Sequence, residues 1–189
     1  MDAGQHADQK SSSFVRSFVG LAVTVAIIFG LSFLLREYVI QGYSIPSGSM
    51  ENTIMTGDTV FSEQLSYYFG DIVPGDIVTF KDPEIASRVL IKRCIAVGGQ
   101  TVDLRDGLVY VDGVAASEPY TDEKPSEPLN RTIEDITYPY TVPQGYIWVM
   151  GDNRTNSQDS RYFGAIPDTS VYGRAFMIYW PLDHFGMLN

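Results

Sequence analysis

Two serines one residue apart are the first residues of the chain that could do chemistry. Ser47 and Ser49 lie in "IPSGSM", residues 45–50, on a bend that Pro46 and Gly48 favour. A serine hydroxyl becomes a nucleophile when a neighbouring group accepts its proton, so the sequence must also supply a base. Most Ser-Gly-Ser stretches are solvated turns, and the motif alone leaves both interpretations open.

Histidine is the usual base for a serine nucleophile, and the chain contains two. His6 precedes a long apolar run, and His184 lies beside Asp183 near the C-terminus. A triad through Asp183 and His184 stays open at this point, although two adjacent residues in "PLDHFG" are more typical of a tail. Lysine is the other candidate.

Three lysines follow the apolar run, and their surroundings differ. Lys81 and Lys124 stand among acidic residues in turn-like segments, where an ammonium group stays solvated. Lys92 instead interrupts "VLIKRCIAV", residues 89–97, which is otherwise mostly apolar and β-forming. Burial in such a strand favours the neutral amine, which can act as a general base. By itself, such a lysine is more often an edge-strand residue whose ammonium reaches water.

Alternation along this strand separates the neighbours of Lys92. Leu90, Lys92, Cys94 and Ala96 would share one face, and Arg93 would project from the other, where it could pair with a carboxylate. Cys94 is the single cysteine of the sequence, so an intrachain disulfide is excluded. We expect it to be a small buried core residue.

A polar segment, "GDNRTNSQDSRYFG" at 151–164, directly follows the apolar "YIWVM". Its Asp, Asn and Ser side chains can bond backbone groups in tight turns, and Arg154 and Arg161 can pair with carboxylates. The segment is either an elaborate polar loop or a scaffold whose hydroxyl groups orient a catalytic amine.

The elements that must position these residues begin with an apolar run. Residues 17–35 carry no charge, and a helix of that length spans about 28 Å, close to the hydrocarbon thickness of a bilayer. The run is longer than the apolar part of a cleaved secretory signal, and bulky residues follow it instead of a small-x-small site. We therefore predict a cytoplasmic tail at 1–16, a transmembrane helix at 17–36 and an extracytoplasmic catalytic domain at 37–189.

Charge indicates the orientation and limits the partners. Lys10 and Arg16 precede the apolar run and Arg36 follows it, which favours a cytoplasmic N-terminus. Residues 37–189 carry ten Lys or Arg against 21 Asp or Glu, a net charge of −11, so we expect no nucleic-acid partner and no attraction to anionic lipid. Apolar lipid contact stays open, because "FSEQLSYYFGDIV", residues 61–73, is either an interfacial surface or a core strand with its turn.

Short apolar or alternating runs between turn signals predict a mainly β domain, built as two sheets or as a barrel-like sheet. Asp106-Gly107 and Asp112-Gly113 are hairpin dipeptides, inside a small inserted hairpin or loop region at about 98–145. Residues 116–135 are rich in Pro and charge and indicate a surface loop. Acidic residues of this loop, including Glu118, lack the spacing of an EF-hand calcium site and are expected to be solvated.

Four motifs in order give the sequence a strong resemblance to bacterial type I signal peptidases, which are membrane-anchored serine proteases with a Ser/Lys dyad. The motifs are "PSGSM" (46–50), "GDIVTF" (75–80), "IKR" (91–93) and the polar segment 151–164, and the match covers nearly all of 40–181. The resemblance implies a signal-peptidase-like β domain. It also implies a membrane-bound endopeptidase that removes signal peptides from secreted precursors by cleaving after small residues.

The resemblance further implies a role for each residue at the motif positions. Ser49 would be the nucleophile, Lys92 the general base, and the Ser49 backbone N–H with the Ser47 hydroxyl the oxyanion hole. The supporting residues would be Ser157, which holds the amine, with Asp159, Arg161 and Arg93, and the substrate-binding residues would be Ile45, Pro46 and Ile91. No cofactor and no metal are implied, and the implied partners are signal peptides and the lipid bilayer of the bacterial cytoplasmic membrane.

The sequence departs from the family pattern at two places. Met50 is followed by Glu51-Asn52, where many members have Pro two residues after the Met, and Thr155 replaces a usual Asp. Neither position carries the implied chemistry, so we expect effects on loop rigidity or substrate fit.

Two other functions share features of this sequence. Self-cleaving SOS-type repressors have a related Ser/Lys arrangement, but they need a DNA-binding domain where this chain has a membrane helix. A membrane-anchored β-domain that only binds peptides or lipids would keep the motifs without catalysis.

Overall fold

The structure is a computed structural model that describes residues 4–188, with side chains described except at 4–15 and 34–38. The first three residues of the predicted cytoplasmic tail, and Asn189, lie outside the described residues. The chain divides into two compact units, one ending at Val39 and the other beginning at Ile40.

The bounds of the elements are as follows. The helices are α1 (Gly4–Tyr38), α2 (Ser66–Phe69) and α3 (Ser160–Phe163), and short 3-10 turns lie at Gly48–Met50, Pro119–Thr121 and Asp168–Ser170. The strands are β1 (Ile40–Ser44), β2 (Thr59–Glu63), β3 (Ile77–Lys81), β4 (Val89–Val97), β5 (Thr101–Arg105), β6 (Leu108–Val111), β7 (Val114–Ala115), β8 (Tyr140–Thr141), β9 (Tyr146–Met150), β10 (Ile166–Pro167), β11 (Val171–Trp180) and β12 (Gly186–Met187).

α1 is longer than the uncharged run from which it was predicted. Within it, Arg16–Phe33 is long and apolar enough to cross a membrane, and its side chains are all exposed. A helix that is apolar on every side is stable where its surroundings are also apolar, as in a bilayer. The limits proposed for the tail, the span and the catalytic domain stay predictions.

Two antiparallel sheets make up the second unit, which confirms the predicted mainly β fold. The larger sheet has the order β1-β2-β11-β3-β4-β9-β10, with β12 added beside β11. The smaller sheet has the order β7-β6-β5-β8 and lies within the segment 98–145, where an inserted region was predicted.

Two hairpins of the smaller sheet use the predicted dipeptides. The backbone φ angles are +54° at Asp106 and +77° at Gly107, and +51° at Asp112 and +80° at Gly113. Positive φ at both central residues is the geometry of a type I′ turn, whose twist matches that of the flanking strands. Local sequence therefore determines the pairing of β5, β6 and β7.

β4 connects the two halves of the larger sheet. Its first half pairs with β3, where Lys92 lies opposite Val78, and its pairing with β9 begins at Arg93 opposite Met150. Before Arg93, the other edge of β4 has no strand beside it among the described residues. The backbone at Lys92 is thus at an edge, as one interpretation expected, yet the residue is only 3% exposed.

Buried apolar clusters support the sheet and the serine bend. One cluster lies beneath the bend and contains Met50 and Ile54, both fully buried, together with Ile45. Another centres on Trp148 of β9 and includes residues of both sheets. Cys94 is fully buried in a third cluster, as predicted.

Residues 61–73 present an apolar surface instead of forming one core strand. β2 ends at Glu63, and α2 follows as a short turn. Leu65, Tyr68 and Val73 are exposed here, and Phe69 is 85% exposed. The interpretation of this segment as a surface therefore describes it better than the alternative.

Candidate active site

Backbone hydrogen bonds to the buried Met50 fix the bend that carries the two serines. Ser47 has extended backbone angles, and the 3-10 turn Gly48–Met50 begins directly after it. The buried Met50 accepts backbone hydrogen bonds from Thr53 and Ile54 at 3.1 and 2.8 Å, which close the chain beneath the bend. Ser49 is 8% exposed, so its hydroxyl is held at the border between the core and the surface.

Lys92 reaches this hydroxyl from the neighbouring strand. Its Nζ donates to Ser49 Oγ at 2.7 Å and to the Ile91 carbonyl at 2.8 Å. These atoms are within the range in which a proton passes directly between a nucleophile and its base. The sequence separation of the two residues is 43, so this contact is created by the β3–β4 pairing and the apolar packing under the bend.

The surroundings of Lys92 favour the neutral amine. Burial lowers the pKa of Lys92 from 10.5 to about 8, and the carboxylates of Asp159 and Asp152 oppose this lowering. Each of these carboxylates is itself paired with an arginine, which limits how strongly it can stabilise an ammonium group. A large neutral fraction of the amine is therefore present at mildly alkaline pH.

Two buried ion pairs lie behind the amine. Arg93 donates to both oxygens of Asp152 at 2.9 and 2.8 Å, which confirms that this arginine pairs with a carboxylate. Arg161 likewise donates to both oxygens of Asp159 at 2.9 Å. Burial opposes the ionisation of Asp159, but the bonds from Arg161 outweigh it and hold the pKa of this carboxyl below its ordinary value.

The polar segment 151–164 holds the serine bend through backbone contacts. Asn153 donates from its backbone N to the Ser49 carbonyl at 3.1 Å and from its side chain to the Gly48 carbonyl at 2.9 Å. A Cβ at Gly151 would lie 2.4 Å from the Ser49 carbonyl oxygen, so this close approach requires glycine. The segment is thus a scaffold against which the bend rests.

The predicted site residues come together around two adjoining pockets. A cleft of about 440 Å³ with a mixed polar and apolar lining and a more apolar pocket of about 160 Å³ share Ser47, Ser49 and Lys92. Ser157 lines the cleft, Ile45, Pro46 and Ile91 line the apolar pocket, and Arg93, Asp159 and Arg161 lie in the ion pairs behind them. Ser157 Oγ is buried, and it does not hydrogen bond to Lys92 in this structure.

The other candidate bases lie elsewhere. His184 Nδ1 is 2.7 Å from Asp58 Oδ1, and His184 is not among the residues that line the two pockets. Lys81 is exposed, and Lys124 Nζ lies 3.5 Å from Asn52 Oδ1. The side chain of His6 lies outside the described side chains. Among the side chains that the structure describes, at 16–33 and 39–188, Lys92 is therefore the basic residue whose amine contacts Ser49.

The prediction that the acidic residues of 116–135 are all solvated is wrong for Glu118. Its side chain is 10% exposed and forms an ion pair with Arg154, which is fully buried. Arg154 was expected to pair with a carboxylate, but the partner lies 36 residues away in a different loop. Sequence analysis also did not identify Gly151, because a close backbone contact across the fold leaves no local signal.

Comparison with known proteins supports the same family. The sequence model of the protein family "Signal peptidase, peptidase S26" matches residues 18–180, so the chain belongs to this family of peptidases.

This chain matches most of the length of two curated relatives. A probable signal peptidase I-1 from Synechocystis sp. is 36% identical over 93% of this chain and 88% of the relative. A signal peptidase I from Mycobacterium tuberculosis is 32% identical over 100% of this chain and 83% of the relative. These similarities confirm the resemblance to bacterial type I signal peptidases. A solved signal peptidase I from Enterococcus faecalis V583 aligns with a TM-score of 0.47, at 36% identity, over 56% of this chain and 97% of that one.

The burial of Lys92 predicts a cost in stability that depends on pH. At pH 7 the lysine is protonated both folded and unfolded, and a pKa lowered from 10.5 to about 8 corresponds to about 3 kcal/mol of destabilisation. Between pH 8 and 10.5 the folded amine loses its proton before the unfolded one, so the cost declines as the pH rises. Lys92→Met should therefore be more stable than the wild type at pH 7, by up to about 3 kcal/mol, and this advantage should shrink by pH 10.

Urea unfolding of both proteins at pH 7 and pH 10 measures this difference. Lys81→Met is the matched control, because Lys81 is exposed and the same substitution there does not relieve the burial of a charge. An advantage of Lys92→Met that stays constant with pH would contradict the lowered pKa of Lys92.

Proposed function

We propose that this peptidase removes N-terminal signal peptides from secretory precursors and that Ser49 and Lys92 form its catalytic dyad. The observation that carries the proposal is the amine of Lys92, which is buried and lies 2.7 Å from Ser49 Oγ. Membership of the signal peptidase family supports the substrate class. A binding-only β-domain does not account for this paired geometry. A self-cleaving repressor has a related Ser/Lys arrangement, but it does not account for membership of the signal peptidase family or for the apolar N-terminal helix.

The dyad would work in two stages. The neutral amine of Lys92 takes the hydroxyl proton as Ser49 Oγ attacks the scissile carbonyl, and a tetrahedral oxyanion forms. The ammonium then protonates the leaving amine of the mature protein, the peptide C–N bond breaks, and the signal peptide stays bound to Ser49 as an ester. A water molecule then attacks this ester while the amine takes its proton. The ammonium returns that proton to Ser49 Oγ as the ester bond breaks, and the signal peptide leaves with a free carboxyl group.

The oxyanion would be stabilised at the start of the 3-10 turn. The first N–H groups of a helical turn have no acceptor within the turn, and Ser49 supplies one of them. The Ser47 side chain makes no capping hydrogen bond in this structure, and Ser47 lines both pockets beside Ser49. The Ser49 N–H and the Ser47 hydroxyl would therefore donate to the developing negative charge.

The substrate would lie extended between two strand edges. One edge of β1 pairs with β2, and one edge of the first half of β4 pairs with β3. The opposite edge of each of these segments has no strand beside it in the part of the chain that the structure describes. A peptide that enters between them can form backbone hydrogen bonds as an added strand. Alternate side chains of this peptide would then meet the pocket lined by Ile45, Pro46 and Ile91, whose volume of about 160 Å³ suits small residues.

The supporting residues would act on the amine and on the bend. Ser157 lines the cleft with Lys92, and its buried hydroxyl, which has no hydrogen-bond partner in this structure, would hold the amine in the reacting complex. Arg93 would keep Asp152 paired and Arg161 would keep Asp159 paired, so that neither carboxylate holds Lys92 as an ammonium group.

The protein would be anchored in the bacterial cytoplasmic membrane by a single helix at 17–36. The tail at 1–16 would be cytoplasmic, and the catalytic domain at 37–189 would lie outside, as the positive charges before the span favour. The exposed apolar side chains of residues 61–73, Tyr68 and Phe69 among them, would contact the lipid interface. Anchoring would raise the concentration of precursors at the site, because their apolar segments are held in the same bilayer.

The dyad predicts which substitutions abolish cleavage. Ser49→Ala removes the nucleophile, and Lys92→Arg replaces the amine with a guanidinium group that cannot lose a proton. Both variants should leave a secretory precursor uncleaved, as measured by intact-mass analysis of the products. Lys81→Arg is the control and should cleave at the wild-type position and rate. Normal processing by Ser49→Ala would refute the dyad.

The lowered pKa of Lys92 predicts the pH dependence of the reaction. The active form is the neutral amine, so kcat/KM should rise with pH and level off above about pH 8. Initial rates with an internally quenched signal-sequence peptide between pH 6 and 10 measure the profile. A flat profile over this range, with the chemical step shown to be rate-limiting, would contradict a lysine base.

A further inference from the structure

Glu118 lies outside every motif of the chain, yet its carboxylate enters the buried polar network behind Ser49. Glu118 Oε1 and Oε2 accept from Arg154 Nη2 and Nη1 at 2.5 and 2.8 Å, a two-point contact that fixes the guanidinium plane. Ser126 Oγ, from the same loop, accepts from Arg154 Nη1 at 2.5 Å. A fully buried guanidinium group needs such partners, and this loop supplies three of them.

Arg154 transmits this contact to the serine bend. Its Nε donates to the Gly151 carbonyl at 3.0 Å, and its own carbonyl accepts from Arg161 Nη2 at 2.8 Å. Gly151 packs directly on the Ser49 carbonyl oxygen, where a Cβ would lie 2.4 Å away. The Glu118 carboxylate therefore contacts Arg154, Arg154 contacts the Gly151 carbonyl, and Gly151 contacts the backbone of Ser49.

The same loop also contacts the strand that carries the base. The ring of Tyr120 lies 3.9 Å from the guanidinium carbon of Arg93, and 5.9 Å from that of Arg154. The Tyr120 hydroxyl donates to Glu118 Oε1 at 3.1 Å, which joins the two contacts. Arg93 is the neighbour of Lys92 in β4, so the loop contacts a residue adjacent to Lys92 as well as the group that leads to Ser49.

We propose that Glu118 is a positioning residue for the reaction, and that Tyr120 assists it. By fixing Arg154 and Arg93, the two side chains hold the Ser49 backbone and Lys92 at the separation that proton transfer requires. Neither residue is among those that line the two pockets around Ser49, so their contribution is to the rate of chemistry and not to substrate binding. The inference rests on the proposed dyad.

The primary test is Glu118→Gln in the full-length enzyme in detergent, with kcat and KM measured on a signal-sequence peptide. Glutamine keeps the size of the side chain but places an amide N–H₂ against the guanidinium donors. Displacement of reacting groups by about 1 Å can cost about 10²-fold in rate, so we expect kcat to fall 10- to 100-fold with KM changed less than about twofold. Glu123→Gln is the matched control, because Glu123 is an exposed residue of the same loop and should keep wild-type kinetics.

A second variant separates positioning from loss of the fold. Glu118→Ala leaves space at a side chain that is partly accessible, and added acetate or formate should restore part of kcat by pairing with Arg154. Thermal unfolding in parallel gives the folded fraction of each variant at the assay temperature.

An unchanged kcat in Glu118→Gln would overturn the proposal, and so would a loss of kcat that Glu123→Gln shares equally. A third contrary result is a loss of kcat in Glu118→Ala that equals its unfolded fraction and is not restored by acetate. Ser49→Ala is assayed beside these variants. If Ser49→Ala still cleaves, the dyad itself is wrong; if Ser49→Ala is inactive and Glu118→Gln is normal, the positioning role alone fails.

Discussion

The burial of the Lys92 amine against the Ser49 hydroxyl is the constraint on which the rest of the second unit depends. In the proposed dyad Lys92 must take a proton from Ser49, which is favoured when the charge of the amine is more costly inside the protein than in water, and the structure meets this condition by covering the residue almost completely. Burial alone would be undone by an unpaired carboxylate within reach, because an opposite charge favours the ammonium form.

The arginines near the site are explained by this requirement. The side chain of Asp159 accepts from the backbone N–H groups of Gly151 and Arg161, and the carbonyl of Asp152 accepts from the backbone N–H of Arg154. Both residues therefore shape the polar segment and lie close to the amine. Their pairing with Arg93 and Arg161 gives each carboxylate a nearer partner than Lys92. A third pair, Arg154 with Glu118, fixes the outer side of the same segment. Buried pairs of this kind contribute little net stability, and their value here is the fixed geometry around the dyad.

Much of the fold and part of the site could be predicted from the sequence because their signals are local. Hairpin dipeptides specify their own backbone angles, and Lys92 and Arg93, which alternation assigned to opposite faces, contact the different partners Ser49 and Asp152. The predicted shared face of Cys94 and Ala96 is wrong, because a register shift lies between them and they pack in different clusters. The resemblance to the family assigned four residues to one site, and their chemical roles are proposals: Ser47, Ser49, Lys92 and Ser157.

What the sequence did not indicate depends on contacts between distant segments. Glu118 appears in a charged, Pro-rich stretch that is typical of a solvated loop, and only the docking of this loop on Arg154 buries it. The open edges of β1 and β4 arise from strand order, which local patterns do not encode. Gly151 has ordinary backbone angles, so its importance follows solely from the Ser49 carbonyl beside it.

The most direct measurement of the central claim is an NMR titration of the Lys92 side chain in protein labelled with ¹⁵N at lysine Nζ. Lys92→Met assigns the resonance by its absence. The account predicts that the Nζ shift of Lys92 titrates with a midpoint near pH 8, well below the ordinary lysine value of 10.5. A midpoint for Lys92 near 10.5 would contradict the account, because the amine would then carry a charge at the mildly alkaline pH at which the proposed reaction is expected to reach its full rate.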